Sequence, residues 1–263
     1  MDDRSLPLQG VENFRDYGGY LCAGGRLKRG VLFRSAQHRD ATQDDLARIA
    51  TLGLMSVIDL RGGGERSKAP CRRAADFAAE VFFVDDDTTG IAPHMEAARV
   101  ASRDALSPAQ VRQVMIEGYA AMPFRPPLVK IMRHYFAALS EIPGPSLIHC
   151  AAGKDRTGLA VALFHAMMGV HRDDVTADYV MTNSFSRVDE RIAAGATLMR
   201  DAFGKDLSDD ALRAIMLVEP AYIDAAFAEI DLRCGSLDSY LRDELDVTDE
   251  RREAIVARLV TGE

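Results

Sequence analysis

The stretch from Ser146 to Gly169 constrains the fold more than any other part of the chain. It begins with a short apolar run at residues 146–148, which is typical of a buried strand. A polar loop containing Gly153 follows, and residues 159–168 are then apolar on every face, as in a fully buried helix. A strand, a tight loop and a helix in this order direct several backbone N–H groups at one point. The sequence therefore predicts an anion-binding loop.

Strands and helices alternate before this stretch. Residues 31–33 and 55–60 are strand candidates, separated by a helix that Thr42 caps and Gly53 ends, which is the pattern of a βαβ unit. A further strand is expected at residues 81–84, and everything beyond Gly169 looks helical. We therefore predict an α/β fold with a central, mostly parallel sheet of four to five strands flanked by helices, and a helical C-terminal region.

Three further expectations concern the organisation of the chain. At 263 residues and 48% hydrophobic composition it can bury one good core, and we predict one domain over residues 1–263. Residues 13–20 are expected to form a turn-rich segment crossing the surface. Residues 91–122 are expected to form two short helices that begin near Pro93 and Pro108.

Composition excludes several classes of function. The formal net charge of −8 argues against a protein that binds nucleic acid or an anionic membrane as a whole. No apolar run approaches the length of a membrane span, and the first ten residues lack the pattern of a signal peptide. The four cysteines are scattered without metal-ligand spacing, so we expect neither a disulfide framework nor a zinc site. We also expect no cofactor. We expect a cytoplasmic monomer. Export by a route that does not cleave a signal peptide is left open.

Cys150 and Arg156 stand at the two ends of the loop with five residues between them. A free cysteine has a pKa near ~8.5, so only about 3% of it is thiolate at neutral pH. Loop N–H groups and the positive charges of Lys154 and Arg156 would stabilise a thiolate at Cys150. The fork of Arg156 can hold two phosphate oxygens, which a lysine could not do in the same way. The loop is therefore predicted to bind a phosphate and to attack it through sulfur.

The remaining loop residues receive supporting roles. Gly153 frees the backbone to turn its amides inward, and Thr157 could hydrogen-bond the sulfur. His149 is expected to orient the loop through a backbone hydrogen bond rather than act as a base. The predicted phosphate-binding residues are Ala151, Ala152, Gly153, Lys154, Asp155, Arg156 and Thr157.

A proton donor for the leaving group has two candidates. Asp155 lies inside the loop, where phosphate and thiolate nearby would favour its protonated form. It could equally turn outward and pair with an arginine. The Asp85–Asp87 run follows a predicted strand at the same edge of the sheet and could also supply the proton, or could be a solvated turn.

The cysteine–x5–arginine pattern followed by Thr-Gly resembles the signature of the protein tyrosine phosphatase superfamily. The full stretch from His149 to Gly158 is similar to an atypical bacterial branch of it. Other segments match that branch in order, namely residues 13–16, 32–35, 59–61 with Glu65, 177–179, 235–237 and 240–242.

The resemblance implies a metal-independent phosphatase that forms a phosphocysteine at Cys150 and binds phosphate with Arg156. Its substrates would be proteins that carry phosphotyrosine, with phosphoserine and phosphothreonine as further candidates. The alternative substrates are phosphoinositides or small phosphates. The alternative to an enzyme is a non-catalytic phosphate-binding module. The superfamily usually takes its acid from a Trp-Pro-Asp loop, and this chain has no tryptophan. The acid is therefore either Asp155 or the aspartate run, for which the resemblance favours Asp86. Residues 187–218 could form a helical lid.

Overall fold

The computed structural model describes residues 4–86, 93, 97–98, 100, 107–185, 187–203 and 207–262. Its larger sheet has five strands, β1 (Arg15–Asp16), β4 (Leu32–Ser35), β5 (Ser56–Asp59), β6 (Glu80–Phe82) and β7 (Ser146–His149). Their spatial order is β1, β4, β7, β5 and β6. β4, β7, β5 and β6 run parallel to one another, and β1 pairs antiparallel with β4 at one edge. This confirms the predicted α/β fold with a mostly parallel central sheet.

Helices flank the sheet and make up most of the chain beyond it. A capping box at Thr42 begins the first helix, as its sequence predicts. A short 3₁₀ turn at Met122–Phe124 joins the third and fourth helices. The helices are α1 (Gln43–Ala50), α2 (Gly63–Lys68), α3 (Pro108–Ala121), α4 (Pro126–Glu141), α5 (Asp155–Met167), α6 (Arg172–Val180), α7 (Thr182–Phe185), α8 (Val188–Phe203), α9 (Asp209–Met216), α10 (Pro220–Cys234), α11 (Leu237–Asp243) and α12 (Asp249–Leu259).

α5 is the central helix of the core. Every residue from Asp155 to Met167 is buried except Ala166, which is half-buried, because the helix is apolar on all sides beyond its first turn. Gly158 allows close packing, since a Cβ there would lie 2.8 Å from the ring of Tyr179 on α6. The N-terminus of α5 is thereby fixed directly behind β7.

The prediction of a surface segment at residues 13–20 is wrong. Asn13, Arg15 and Tyr17 are each at most 2% exposed, and β1 lies within the segment. The polar side chains are buried because they form hydrogen bonds to groups elsewhere in the chain, which a turn-forming composition does not reveal. Tyr17, for example, shares a 2.9 Å hydrogen bond with Tyr135 on α4.

One further difference from the sequence-based expectations is a second sheet. This small antiparallel sheet joins β2 (Leu21–Cys22), β3 (Gly25–Leu27) and β8 (Val260–Thr261), and it ties the C-terminus to the N-terminal region. The helix expected to begin near Pro108 is confirmed, since residues 108–121 form one helix with Ser107 as its cap. The start of the other helix expected there lies mostly outside the described residues.

The segment expected as a lid forms α8 and α9 in its described part. Met216 at the end of α9 packs close to Gly195 of α8. The side chains of Met199 and Phe203 lie outside the described residues. None of the described helices has both the length and the apolar composition that a bilayer crossing requires.

Candidate active site

The cysteine loop, residues 150–156, connects β7 to the first turn of α5. Cys150 is 3% exposed and sits directly after His149, the last residue of β7. Gly153 has φ +63, and a Cβ there would lie 2.5 Å from the carbonyl oxygen of Ser35, so the loop requires glycine at this position. Ala151 and Ala152 are half-buried, while residues 153–157 are buried.

Two carbonyl groups of the cysteine loop are held from outside the loop. The backbone N–H of Gln37 donates to the Ala151 carbonyl at 3.0 Å. The Gly153 carbonyl accepts from Asn13 Nδ2 at 2.8 Å and from Arg34 Nη2 at 3.0 Å. In a trans peptide the N–H points opposite to the carbonyl, so these bonds direct the N–H groups of residues 152 and 154 the other way. The arrangement suits an anion in the concave side of the loop.

Arg156 is 1% exposed and is oriented by Glu65 on α2. Its Nη1 donates to Glu65 Oε2 at 2.6 Å and its Nη2 donates to Oε1 at 2.8 Å, while Nη1 also donates to the Leu60 carbonyl. Burial alone would lower the pKa of Arg156, but Glu65 and Cys150 raise it above its usual value. Arg156 is therefore a fixed positive charge at the end of the cysteine loop. In the sequence, Glu65 stands out only as part of a matching pattern, and no role is predicted for it.

Asp155 faces inward, so the expectation that it might turn outward to an arginine is wrong. Its Oδ1 accepts a hydrogen bond from Tyr119 on α3 at 2.7 Å and one from Lys154 Nζ at 2.8 Å. Tyr179 donates in turn to the Tyr119 hydroxyl at 2.7 Å. Burial raises the pKa of both tyrosines well above the usual value, so they act as neutral donors. This network holds the carboxylate in the first turn of α5.

Lys154 links the cysteine loop to the candidate lid. It is 1% exposed, and its Nζ donates to the carbonyls of Ile215 at 3.0 Å and Leu217 at 3.4 Å, at the C-terminus of α9. Burial lowers the pKa of Lys154, and Asp155 partly opposes that shift. A cation at a helix C-terminus is favourable because it offsets the helix dipole.

A buried ion-pair cluster supports the loop from behind. Asp178 on α6 accepts from Arg34 Nη1 at 2.8 Å and lies 3.6 Å from Arg15 Nη2. Burial would raise the pKa of Asp178, but the two guanidinium groups lower it to about 2. Arg15 also donates to the side chain of Asn13. The segments that match the bacterial branch contain all four residues, and the sequence predicts no role for them.

His149 makes the kind of contact expected of it, whereas Thr157 does not. The Nδ1 atom of His149 lies 3.3 Å from the Cys150 carbonyl, the kind of backbone contact expected of it. Burial lowers the pKa of His149 to about 4, so the ring is neutral at pH 7. The buried Oγ1 of Thr157 has no hydrogen-bond partner among the described residues, so the expected bond to the sulfur is not made.

Asp59, Cys71 and His149 bring three potential metal-ligand atoms within 4.8 Å of one another. The guanidinium of Arg61 already pairs with Asp59 at 2.7 Å and donates to the sulfur of Cys71 at 3.1 Å. A metal ion would have to displace this cation before it could bind the set. The cluster therefore fits a structural role better than that of a metal centre, because Arg61 already joins Asp59, at the end of β5, to Cys71.

The two alternative proton donors occupy different environments. Asp86 is exposed and its carboxylate lies 3.2 Å from Lys130 Nζ on α4. Asp85 pairs with Arg66 on α2 at 3.1 Å, and Asp87 lies outside the described residues. Asp155, by contrast, is buried beside Arg156. The geometry thus places one candidate inside the cysteine loop and the other on the surface beyond β6.

Fold and loop together define a class of α/β proteins in which a strand, a cysteine-to-arginine loop and a buried helix form an anion cradle. Comparison with known proteins agrees: residues 6–261 match the model of the tyrosine phosphatase family, and the chain belongs to this family. It is 33% identical over 249 residues to a protein of Cupriavidus necator named "Putative tyrosine-protein phosphatase", covering 92% of this chain and 84% of that one. It is 30% identical over 266 residues to "Triple specificity protein phosphatase PtpB" of Mycobacterium tuberculosis, covering 91% of this chain and 93% of that one.

Proposed function

We propose that this phosphatase hydrolyses phosphotyrosine in proteins through a phosphocysteine formed on Cys150. The observation that carries the proposal is the cysteine loop itself, in which a buried cysteine begins a tight turn that ends at an arginine held by Glu65. Arg156 and the loop amides hold the phosphate, and Lys154 adds positive charge.

The reaction runs in two displacement steps. In the first, the Cys150 thiolate forms a bond to phosphorus and the bond from phosphorus to the tyrosyl oxygen breaks. The leaving oxygen takes a proton from an acid, for which we propose Asp155. In the second, water attacks the phosphocysteine while the same carboxylate accepts its proton, and inorganic phosphate and the thiolate are released. Arg156 stabilises the charge on the non-bridging oxygens in both steps.

The position of Asp155 supports its role as the acid. It precedes Arg156 in the first turn of α5, and Tyr119 and Lys154 hold its carboxylate within the site. Asp86 remains the alternative, with its carboxylate exposed beside Lys130. No step of this mechanism requires a metal ion or a cofactor, so treatment with EDTA should leave the rate unchanged.

The surroundings of Lys154 favour a phosphorylated protein over a phosphoinositide as the substrate. Its ammonium group is buried against Asp155 and two carbonyls of the α9 end, so in this arrangement it does not present itself to a polyphosphorylated headgroup. The formal net charge of −8 also disfavours approach to an anionic membrane. We accordingly propose phosphorylated proteins as the substrates, and a cytoplasmic monomer remains our prediction.

A substrate panel tests the proposed class. Phosphotyrosyl, phosphoseryl and phosphothreonyl peptides of one sequence would be compared with monophosphorylated inositol lipids in mixed vesicles, using phosphate release. We expect the highest kcat/KM for the phosphotyrosyl peptide. Lipid turnover far above peptide turnover would support the phosphoinositide alternative instead.

A further inference from the structure

The carboxyl group of Asp155 is held through one of its two oxygens. Its Oδ1 accepts from the Tyr119 hydroxyl at 2.7 Å and from Lys154 Nζ at 2.8 Å. A carboxyl oxygen offers two lone pairs, so these two donors occupy both of those on Oδ1. When Asp155 carries a proton, that proton therefore lies on Oδ2.

The hydroxyl of Tyr119 acts as a donor towards Asp155 and as an acceptor on its other side. Tyr179 on α6 donates a hydrogen bond to the Tyr119 oxygen at 2.7 Å. A phenol carries a single proton, so Tyr119, which accepts from Tyr179, directs its own proton to Oδ1 of Asp155. Tyr119 thus supplies a donor to this oxygen whether Asp155 is protonated or ionised.

Helices outside the cysteine loop fix the position of the Tyr119 hydroxyl. Tyr119 on α3 is fully buried, and its ring centroid lies 6.2 Å from that of Tyr179 and 5.5 Å from that of Tyr222 on α10. The hydroxyl of Tyr222 in turn donates to the Ala214 carbonyl at 2.9 Å. The rings on α6 and α10 therefore keep the Tyr119 hydroxyl in place against Asp155.

We propose that Tyr119 is a positioning residue for the general acid, because its hydroxyl holds Asp155 so that Oδ2 is the oxygen that transfers the proton. This inference rests on the proposed function and deepens it. In the first step the proton on Oδ2 passes to the tyrosyl oxygen as the bond from that oxygen to phosphorus breaks. In the second step Oδ2 accepts a proton from the attacking water. Tyr119 keeps its own proton throughout.

Tyr119→Phe removes the hydroxyl and keeps the ring that packs against Tyr179 and Tyr222. Tyr240→Phe is the matched control. Tyr240 on α11 is also buried, at 1% exposure, and its hydroxyl donates at 2.7 Å to the carbonyl of Pro123, which lies outside the cysteine loop. Each variant therefore loses one buried tyrosine hydroxyl and its hydrogen bond. Circular dichroism and thermal unfolding would verify that both variants fold.

The test compares kcat/KM for phenyl phosphate with kcat/KM for p-nitrophenyl phosphate. Phenolate needs a proton to leave, whereas nitrophenolate leaves without one, so the ratio of the two constants reports the acid. Asp155→Asn removes the acid and should lower kcat/KM for phenyl phosphate by about a hundredfold. Tyr119→Phe keeps the acid but places it less well, so we expect a loss of about tenfold for phenyl phosphate and almost none for p-nitrophenyl phosphate. Tyr240→Phe should keep the wild-type ratio.

The pH profile separates a positioning role from a packing role. A hydrogen bond to the ionised carboxylate favours that form, so its loss in Tyr119→Phe should move the alkaline limb of the kcat/KM profile for phenyl phosphate to higher pH. Loss of packing alone would lower the rate without moving this limb. The variant leaves in place the other charged and titratable groups that interact with Asp155, which are Lys154, Arg156, Tyr179 and Tyr222.

The possible failures give different results. Equal losses for both substrates in Tyr119→Phe, an unchanged ratio or an unmoved alkaline limb would overturn the positioning role alone. When Asp155→Asn is already present, Tyr119→Phe should change the ratio no further, and a further change would show that Tyr119 acts on another group. If the proposed acid is itself wrong, Asp155→Asn keeps the wild-type ratio, and the positioning role fails with it.

Discussion

Glu65 accepts hydrogen bonds from both terminal nitrogens of the Arg156 guanidinium, at 2.6 and 2.8 Å. The glutamate lies on α2, whereas the arginine lies in the first turn of α5, so two elements distant in sequence meet at the cysteine loop. The bidentate contact fixes the plane of the guanidinium. In the proposed mechanism, this contact positions Arg156 before phosphate arrives and so reduces the reorganisation needed in the transition state.

Glu65→Gln tests whether this orientation matters. The amide cannot accept both bonds, so we expect kcat for a small aryl phosphate to fall by about tenfold. The affinity for vanadate, measured by inhibition, should fall as well. Glu253→Gln, an exposed position on α12, is the matched control. Unchanged kinetics in Glu65→Gln would show that Arg156 is positioned without the glutamate.

Asn13→Gly tests the support of the loop from behind. Asn13 has φ +56, which glycine adopts without strain, so the substitution removes only the side chain, with its bond to Gly153 and the bond that it accepts from Arg15. We expect about a tenfold loss of affinity for phosphate and vanadate, because the peptide between residues 153 and 154 is then held by Arg34 alone.

Asn183→Ala is the matched control for that measurement. Its side chain bonds both backbone groups of Val218 and none of the cysteine loop. Equal losses of anion affinity in the two variants would mean that Asn13 contributes only to general stability.

The fold and the loop could be predicted because their signals are local. The continuous apolar runs of β5 and β7 and the all-round apolar surface of α5 follow from neighbouring residues alone. The cap at Thr42 is likewise predicted by its neighbours and is confirmed by its side-chain bond to the backbone of Asp45. Each of these features depends on residues at most a few positions apart.

The contacts that support the cysteine loop could not be predicted because they join residues that are far apart in the sequence. Asn13 and Gly153 are 140 positions apart, and Arg34 and Asp178 are 144 apart. A polar, glycine-containing segment around Asn13 resembles a surface turn unless its distant partners are known. The same holds for Glu65, whose charge is explained only when the position of Arg156 is known.

The identity of the acid can be decided by pH dependence. Asp155→Asn should abolish the alkaline limb of the kcat profile for phosphotyrosyl peptides, because no proton is then available for the leaving oxygen. Asp86→Asn should retain that limb, since its carboxylate is exposed and paired with Lys130. The reverse pattern would assign the acid to Asp86.

Burial of His149 predicts a pH-dependent stability. Its pKa is lowered to about 4 in the folded protein, against 6.5 for the ordinary side chain. Below pH 6.5 the unfolded chain therefore binds a proton that the folded protein does not, and stability falls as the pH decreases towards about 4. The loss attributable to this group is roughly 3 kcal/mol.

Urea unfolding at several pH values between 7 and 4 checks this prediction. His149→Asn should flatten the dependence, with a remaining slope from the neighbouring His38, whose pKa burial also lowers. His171→Asn, at a side chain that is 74% exposed, should leave the slope as in the wild type. A slope that His149→Asn does not change would contradict the assignment.

The phosphocysteine is the central claim, and rapid acid quench followed by peptide mass spectrometry tests it most directly. With a phosphotyrosyl peptide in excess, we predict the mass of one added phosphoryl group on the peptide that contains Cys150. Cys150→Ser should show neither turnover nor this intermediate. Full hydrolysis by Cys150→Ser, or a phosphoryl group carried by another residue, would contradict the mechanism.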